Sequence, residues 1–232
     1  MGASVMNLEM LRKARAAQAD ALDLLDTAIM AAEKAQEPPQ PDPALTAPPT
    51  PGAGATRLAW GAKVSSTFRD RIVWLCEDLD IGPAPGQPEP SWLMTCIAWE
   101  SGRSFRADKK NLAGSGATGL IQFMPKTAAG LGTSTAALAR MTAEDQINFV
   151  WKYFKPWKGR LRSLADVYMA ILWPAGVGKP EGFVLWDKDS RPTTYRQNAG
   201  LDVNRDGEIT KAEAAAKVAA LLPEGMQLGN VA

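Results

Sequence analysis

Apolar residues recur along this chain at helical spacing, in blocks divided by proline- and glycine-rich breaks, and no stretch sustains the alternation of a strand. Residues 4–36 read as one helix. Leu8, Leu11, Leu22, Leu25, Ile29 and Ala32 fall on its seam, which Arg15 and Gln18 interrupt. Residues 37–54 are rich in Pro, Ala and Gly. Such a segment favours extended backbone and cannot bury a core, so it reads as a linker. Helical spacing returns at Val64, Phe68, Ile72, Val73, Leu75 and Leu79, which predict a helix over 64–80. A proline-rich loop follows. The next helix is expected over 91–101, with Ser91 as its N-cap. Residues 102–120 read as a long irregular segment, and Pro125 suits the first turn of a short helix. A helix over 142–154 begins at Thr142, with Asp145 three residues on, and an apolar helix covers 163–173. The expected fold is predominantly α, in three parts: the helix 1–36, the linker 37–54 and a globular region 55–232.

Composition narrows the chemistry. The 232 residues are 46% hydrophobic and 22% charged, with a formal net charge of +1. That balance argues against a nucleic-acid-binding scaffold. The charge is uneven: the first 54 residues carry 4 basic and 7 acidic groups, and the rest carry 22 and 18. A mild excess of cations there suits an anionic polymer. No apolar run reaches the ~18 residues of a membrane span, so no membrane insertion is expected. Charged residues break up the N-terminal stretch, which does not read as a signal peptide. Cys76 and Cys96 sit in apolar helical patterns and read as buried free thiols. Histidine is absent, which excludes Ser-His-Asp and Cys-His nucleophilic catalysis and zinc sites built on imidazole.

One carboxylate stands out. In Ala98-Trp99-Glu100-Ser101-Gly102, Glu100 ends an apolar helix. Lost hydration there should raise its pKa, as a general acid working near neutral pH requires. About 20 residues later comes Gly116-Ala117-Thr118-Gly119-Leu120-Ile121-Gln122, followed by Pro125-Lys126-Thr127-Ala128. The Glu-Ser pair and these two motifs, in this order, resemble the lytic transglycosylases of the lysozyme-like superfamily over roughly residues 90–180. The resemblance implies a lysozyme-like fold of the soluble lytic transglycosylase type and a peptidoglycan substrate. Glu100 matches that family's acid/base and Ser101 the residue beside it, expected to meet substrate. Gly119, Leu120 and Gln122 match the segment that lines the sugar cleft. The family's later Tyr-Asn-Ala-Gly motif is replaced here by Trp173-Pro174-Ala175-Gly176, with Tyr168 five residues earlier, so either aromatic could take that role. The implied reaction uses Glu100 twice. It protonates the leaving oxygen of the β-1,4 bond between N-acetylmuramic acid and N-acetylglucosamine. It then accepts the proton of the muramoyl 6-hydroxyl as that oxygen attacks the anomeric carbon, leaving a 1,6-anhydro end. A hydrolytic muramidase would need a second carboxylate. Asp108 is the open candidate, with Asp145 and Asp166 less suited. Of the eight tryptophans most are expected in the core, and Trp99 and Trp173, nearest the proposed cleft, are the candidates for stacking on sugar rings.

Residues 202–213 carry a second pattern. Asp202, Asn204 and Asp206 occupy positions 1, 3 and 5, and Gly207 stands at the sharp turn. Glu208 offers its carbonyl, Thr210 lies at position 9, and Glu213 closes the loop at position 12. This is an EF-hand-type loop, and its expected ligand is Ca²⁺. No second loop is visible and the helix entering it is short, so a structural ion is expected rather than a sensor. Some lytic transglycosylases carry a comparable single loop. Taken together, these features lead us to expect a bacteriophage-type muralytic enzyme, an endolysin or a virion component. It would be made in the host cytoplasm and act on glycan strands in the periplasm or cell wall, with the N-terminal helix serving virion attachment or self-association. The rival of another class is a non-catalytic, calcium-stabilised wall-binding or virion structural protein.

Overall fold

A computed structural model describes residues 57–111 and 114–232. Helices dominate them, as the apolar spacing predicts, and one two-stranded sheet is present. The helix expected over 4–36 and the linker 37–54 lie outside the described residues. No helix among the described residues is long and apolar enough to cross a membrane. These residues divide into two compact units, 57–178 with 215–232, and 179–214.

The larger unit is built on two apolar helices. The helix α1, Ser66–Asp78, starts where the Ser65 hydroxyl accepts from the Phe68 amide, and it buries Phe68, Ile72, Leu75 and Cys76. The helix α2, Pro90–Glu100, is buried at every position from Pro90 to Ala98 except Trp92. A helix apolar on nearly all sides belongs in the middle of a core. Its start differs from the sequence expectation. Ser91 lies inside the helix, and Glu89 is the cap, accepting from the Ser91 amide at 3.2 Å. Proline lacks an N–H and is favoured in the first turn, so Pro90 moves the start forward and leaves Ser91 buried. The short helices α3, Pro125–Gly130, and α4, Thr135–Leu138, lead to α5, Ala143–Phe154. Thr142 caps α5 by accepting from the Asp145 amide at 3.1 Å, as its sequence predicts. The apolar helix α6, Leu164–Leu172, packs on α2. Cys76 and Cys96 are free and fully buried, and burial pushes both thiols up from their ordinary pKa.

Residues 58–62 and 225–232 close this unit by backbone pairing. Leu58 and Ala232 exchange hydrogen bonds at 2.7 and 3.2 Å, and the Ala62 amide donates to Asn230 at 2.9 Å. Arg103 clamps Glu224 with two hydrogen bonds of 2.9 Å.

The smaller unit pairs β1, Val184–Asp187, antiparallel with β2, Glu208–Thr210. Trp186 and Ile209 face each other and are buried. Between the strands lie α7, Pro192–Asn198, and the loop that leads into β2. The helix α8, Lys211–Ala219, follows β2, and α9, Leu221–Gly225, belongs to the larger unit.

Candidate functional site

Glu100 is the last residue of α2, where the helix leaves the core, and its side chain is partly exposed. Burial raises its pKa to about 7. No cation or hydrogen-bond donor among the described residues offsets that effect on its charge. This carboxyl therefore exchanges a proton near neutral pH.

Two phenols lie within the electrostatic reach of this carboxyl. Tyr168, on α6, is buried. Burial raises its pKa, the Glu100 charge raises it further, and the Trp99 indole donates a hydrogen bond to it. Tyr153, on α5, is buried too, and its hydroxyl donates to the Ala170 carbonyl at 2.7 Å. Burial and the Glu100 charge both raise its pKa. The sequence expectation included Tyr168 and missed Tyr153, whose aromatic ring sits in the ordinary apolar pattern of α5. Trp173 is partly exposed and ends α6, its amide donating to Met169 at 2.8 Å. Tyr168, one of the two aromatics left open by the sequence, lies in the field of Glu100.

The chain turns sharply after Glu100. Gly102, Arg103 and Phe105 all have positive φ, two of them without a glycine's freedom. Ser101 holds this turn. It is fully buried, its hydroxyl accepts from the Phe105 amide at 3.0 Å, and its carbonyl accepts from the Ser104 hydroxyl at 2.7 Å. Ser101 was expected to meet substrate. Its hydroxyl points into the fold instead, so it positions the turn behind Glu100.

Residues 109–111 and 114–123 are joined by single bridges between Lys110 and Thr118 and between Thr118 and Phe123. Gly119 has φ +91°, and its amide donates to the Lys109 carbonyl at 2.7 Å. Gln122 also has positive φ, and its amide nitrogen donates to Lys109 and Gly119 at 3.1 and 3.0 Å. Gln122 is partly exposed, and its carboxamide oxygen takes no part in those two bonds.

Gln146 anchors this segment, a role that no local pattern signals. Fully buried, it accepts from the Leu120 amide at 2.7 Å and donates to the carbonyls of Ala107 and Leu138 at 3.0 Å each. A β-carbon at Gly119 would run into that carboxamide, closer than van der Waals contact allows. We expect Gly119→Ala to lower stability by about 2–3 kcal/mol, from the clash and the strained φ together. Urea unfolding followed by tryptophan fluorescence checks it, and an unchanged midpoint would contradict the packing described.

The three acidic candidates for a second carboxylate each have a partner. Asp108 is held by Arg106 through bonds of 2.8 and 2.6 Å, and Arg106 keeps its pKa below the ordinary carboxylate value. Asp145 pairs with Arg71 at 3.4 Å. Asp166 is buried and accepts from the amides of Arg162 and Gly178 at 3.2 and 2.8 Å.

The chain matches no protein-family model and no curated protein. The chemistry therefore rests on the residues themselves.

Within residues 202–213, the carboxylates turn onto the loop's own amides. Asp202 accepts from Arg205 and Gly207 at 2.6 and 3.0 Å, and from the Tyr195 hydroxyl at 2.7 Å. The Tyr195 bond is the first cause of its lowered pKa. Glu213 accepts from the amides of Val203, Asn204 and Thr210 at 3.1, 3.4 and 3.0 Å. Position 12 thus closes over positions 2, 3 and 9. Gly207 takes φ +91° at the sharp turn, where a β-carbon would meet the Lys188 side chain. Among the described residues no three Asp, Glu or Cys side chains group closely enough to hold an ion between them. The donors are all oxygens, as a hard cation needs. The residues fit calcium in kind and in order.

Proposed function

We propose that this protein is a peptidoglycan lytic transglycosylase of the lysozyme-like type, with Glu100 as its general acid and base. The observation that carries the reading is the Glu100 carboxyl, desolvated to a pKa of about 7 at the end of α2. Near neutral pH it is protonated often enough to give a proton to the leaving glycosidic oxygen, so that the bond from that oxygen to the anomeric carbon breaks. As a carboxylate it then takes the proton of the muramoyl 6-hydroxyl while that oxygen bonds to the anomeric carbon. Asp108 and Asp166 have both oxygens committed elsewhere, and Asp145 faces Arg71 from the exposed start of α5, which favours chemistry run by a single carboxylate over two-carboxylate hydrolysis. Gly119 and Gln122 stand in the segment expected to meet the glycan, Gln122 through its carboxamide oxygen. Tyr168 and Trp173 are the aromatics for the same cleft, Tyr168 beside the acid. The decisive experiment incubates purified protein with peptidoglycan and reads the products by mass spectrometry. Anhydro-muropeptides are expected; reducing ends would indicate a muramidase, and no cleavage would remove both readings in favour of a non-catalytic wall protein.

The same reading places Ca²⁺ in the loop 202–213, held by Asp202, Asn204, Asp206, Thr210, Glu213 and the Glu208 carbonyl. A bound ion would supply positive charge that draws these oxygens together and stiffens the unit 179–214. Binding to the folded state alone adds RT ln(1 + [L]/Kd), about 2.7 kcal/mol at a hundred-fold excess over Kd. Chelation is therefore expected to lower the melting temperature, and Asp202→Ala should melt alike with and without chelator. A parent protein indifferent to both calcium and chelator would exclude the ion.

A further inference from the structure

We propose that the outer surface of α5 and the turn after it is a second binding site, for a linear phosphodiester polymer of the polyol-phosphate type. It goes beyond the glycan-cleaving reading and does not depend on it. Residues 149–162 contain five cations, Lys152, Lys155, Lys158, Arg160 and Arg162, and no acid. The opposing acids from the preceding segment are Asp78 and Asp80. Asp80 is taken up by Arg162 at 2.6 Å. Asp78 accepts from the Trp151 indole at 2.8 Å and lies 3.6 Å from Lys158. Lys155 and Arg160 are exposed, and neither has an ion-pair partner among the described residues.

Aromatic rings hold these cations in place. The Lys155 ammonium sits 5.1 Å from the Trp151 ring centre, and the Arg160 guanidinium sits 4.8 Å from that of Trp157. Trp151 stacks on Trp74 at 6.2 Å. Cations laid on rings lose less freedom when they bind an anion, and their N–H groups still face water.

The same geometry argues against other occupants. Trp151 stacks with Trp74 and carries Lys155, and Arg160 covers Trp157, so these rings are poor platforms for bases or sugar rings. The large exposed apolar residues among those described are Met124, Val203 and Leu228, none of them on this surface, so nothing here is built to enter a bilayer. A chain of phosphates without bases matches charge with charge and asks for no stacking.

The test measures binding of the full chain, in a Glu100→Gln background, to immobilised poly(glycerol phosphate) at low salt. Because the readout is binding by a chain without its acid, failure here is distinct from failure of the cleavage reading. Saturable binding that weakens steeply with added salt is expected, with roughly a ten-fold or greater loss of affinity in Lys155→Glu/Arg160→Glu. Lys155→Ala/Arg160→Ala, with a melting curve like the parent's, should lose affinity too, and Lys126→Glu should lose none. The proposal is overturned if the parent does not bind, or if the Lys155/Arg160 variants bind as the parent does. Tighter binding to phosphatidylglycerol vesicles or to single-stranded DNA would overturn it as well.

Discussion

Glu100→Gln is expected to reduce release of glycan fragments by ~10²–10⁴-fold, the range that a positioned general acid contributes. The amide has nearly the carboxyl's shape but no proton to give. It should fold as the parent does, and it should gain stability on the alkaline side. The sign follows from linkage. Burial raises the Glu100 pKa from 4.5 to about 7 in the folded chain. Between those values the unfolded chain has lost the proton that the folded chain keeps, so stability falls as pH rises through the window. It is fully present below pH 4.5 and has been lost by the time pH has passed about 7. The shift corresponds to about 3 kcal/mol. Glu100→Gln lacks this titration, so its melting temperature should draw ahead of the parent's as pH rises from 4.5 to about 7. Calorimetry across that range, beside a turbidity assay on cell walls, reads both effects. Activity of the parent should decline above about pH 7, as the acid form disappears. Retained cleavage by Glu100→Gln would assign the chemistry to another residue.

Gln146→Leu is expected to cost about 3–5 kcal/mol and to lower the melting temperature by roughly 10 °C. The substitution keeps an apolar body of similar size. It removes a partner from three backbone groups, the Leu120 amide and the Ala107 and Leu138 carbonyls. A buried backbone group left unpaired costs roughly 1–3 kcal/mol; the Leu120 amide and the Ala107 carbonyl lose the partner described for them, whereas the Leu138 carbonyl keeps the Met141 amide at 3.2 Å. Gln146→Glu offers a separate check, since it keeps the acceptor for Leu120 and removes both donations. It should also destabilise, more at high pH than at low. A Gln146→Leu protein melting within about 2 °C of the parent would mean that water or a local shift satisfies those groups.

The two predictions differ in how much of their basis could be read in advance. For Glu100 the signal is local. An acidic residue at the end of Leu93-Met94-Thr95-Cys96-Ile97-Ala98-Trp99 must be desolvated wherever that helix is buried, and the pKa of about 7 follows. For Gln146 nothing local exists. It lies on a helix whose spacing is already explained by Ile147, Val150 and Phe154, and its partners lie 8, 26 and 39 residues away. Tyr153 escaped notice for the same reason, as one more aromatic on an apolar face.

Helix boundaries follow the same division. Thr142 caps α5 because the cap and the amide it accepts from are three residues apart. Ser91 does not cap α2 because Pro90 beside it claims the first turn, a competition also written in the sequence but decided by proline's missing N–H. The pairing of Val184–Asp187 with Glu208–Thr210 rests on neither local spacing nor alternation, since both strands are too short to show a period.

By itself, then, the sequence determined what depends on neighbours along the chain: the predominantly α content, the buried thiols, the desolvated acid at a helix end, and the glycine turn of the 202–213 loop. Tertiary structure alone decided which groups meet. It turned Ser101 inward to hold a turn, engaged Asp108, Asp145 and Asp166 elsewhere, set Tyr153 and Tyr168 in the field of Glu100, and hung the 107–138 region on Gln146. The reason is physical: caps, propensities and burial of a continuous apolar run are set within a few residues. Hydrogen-bond partners and electrostatic neighbours far apart in sequence exist only once the core has packed.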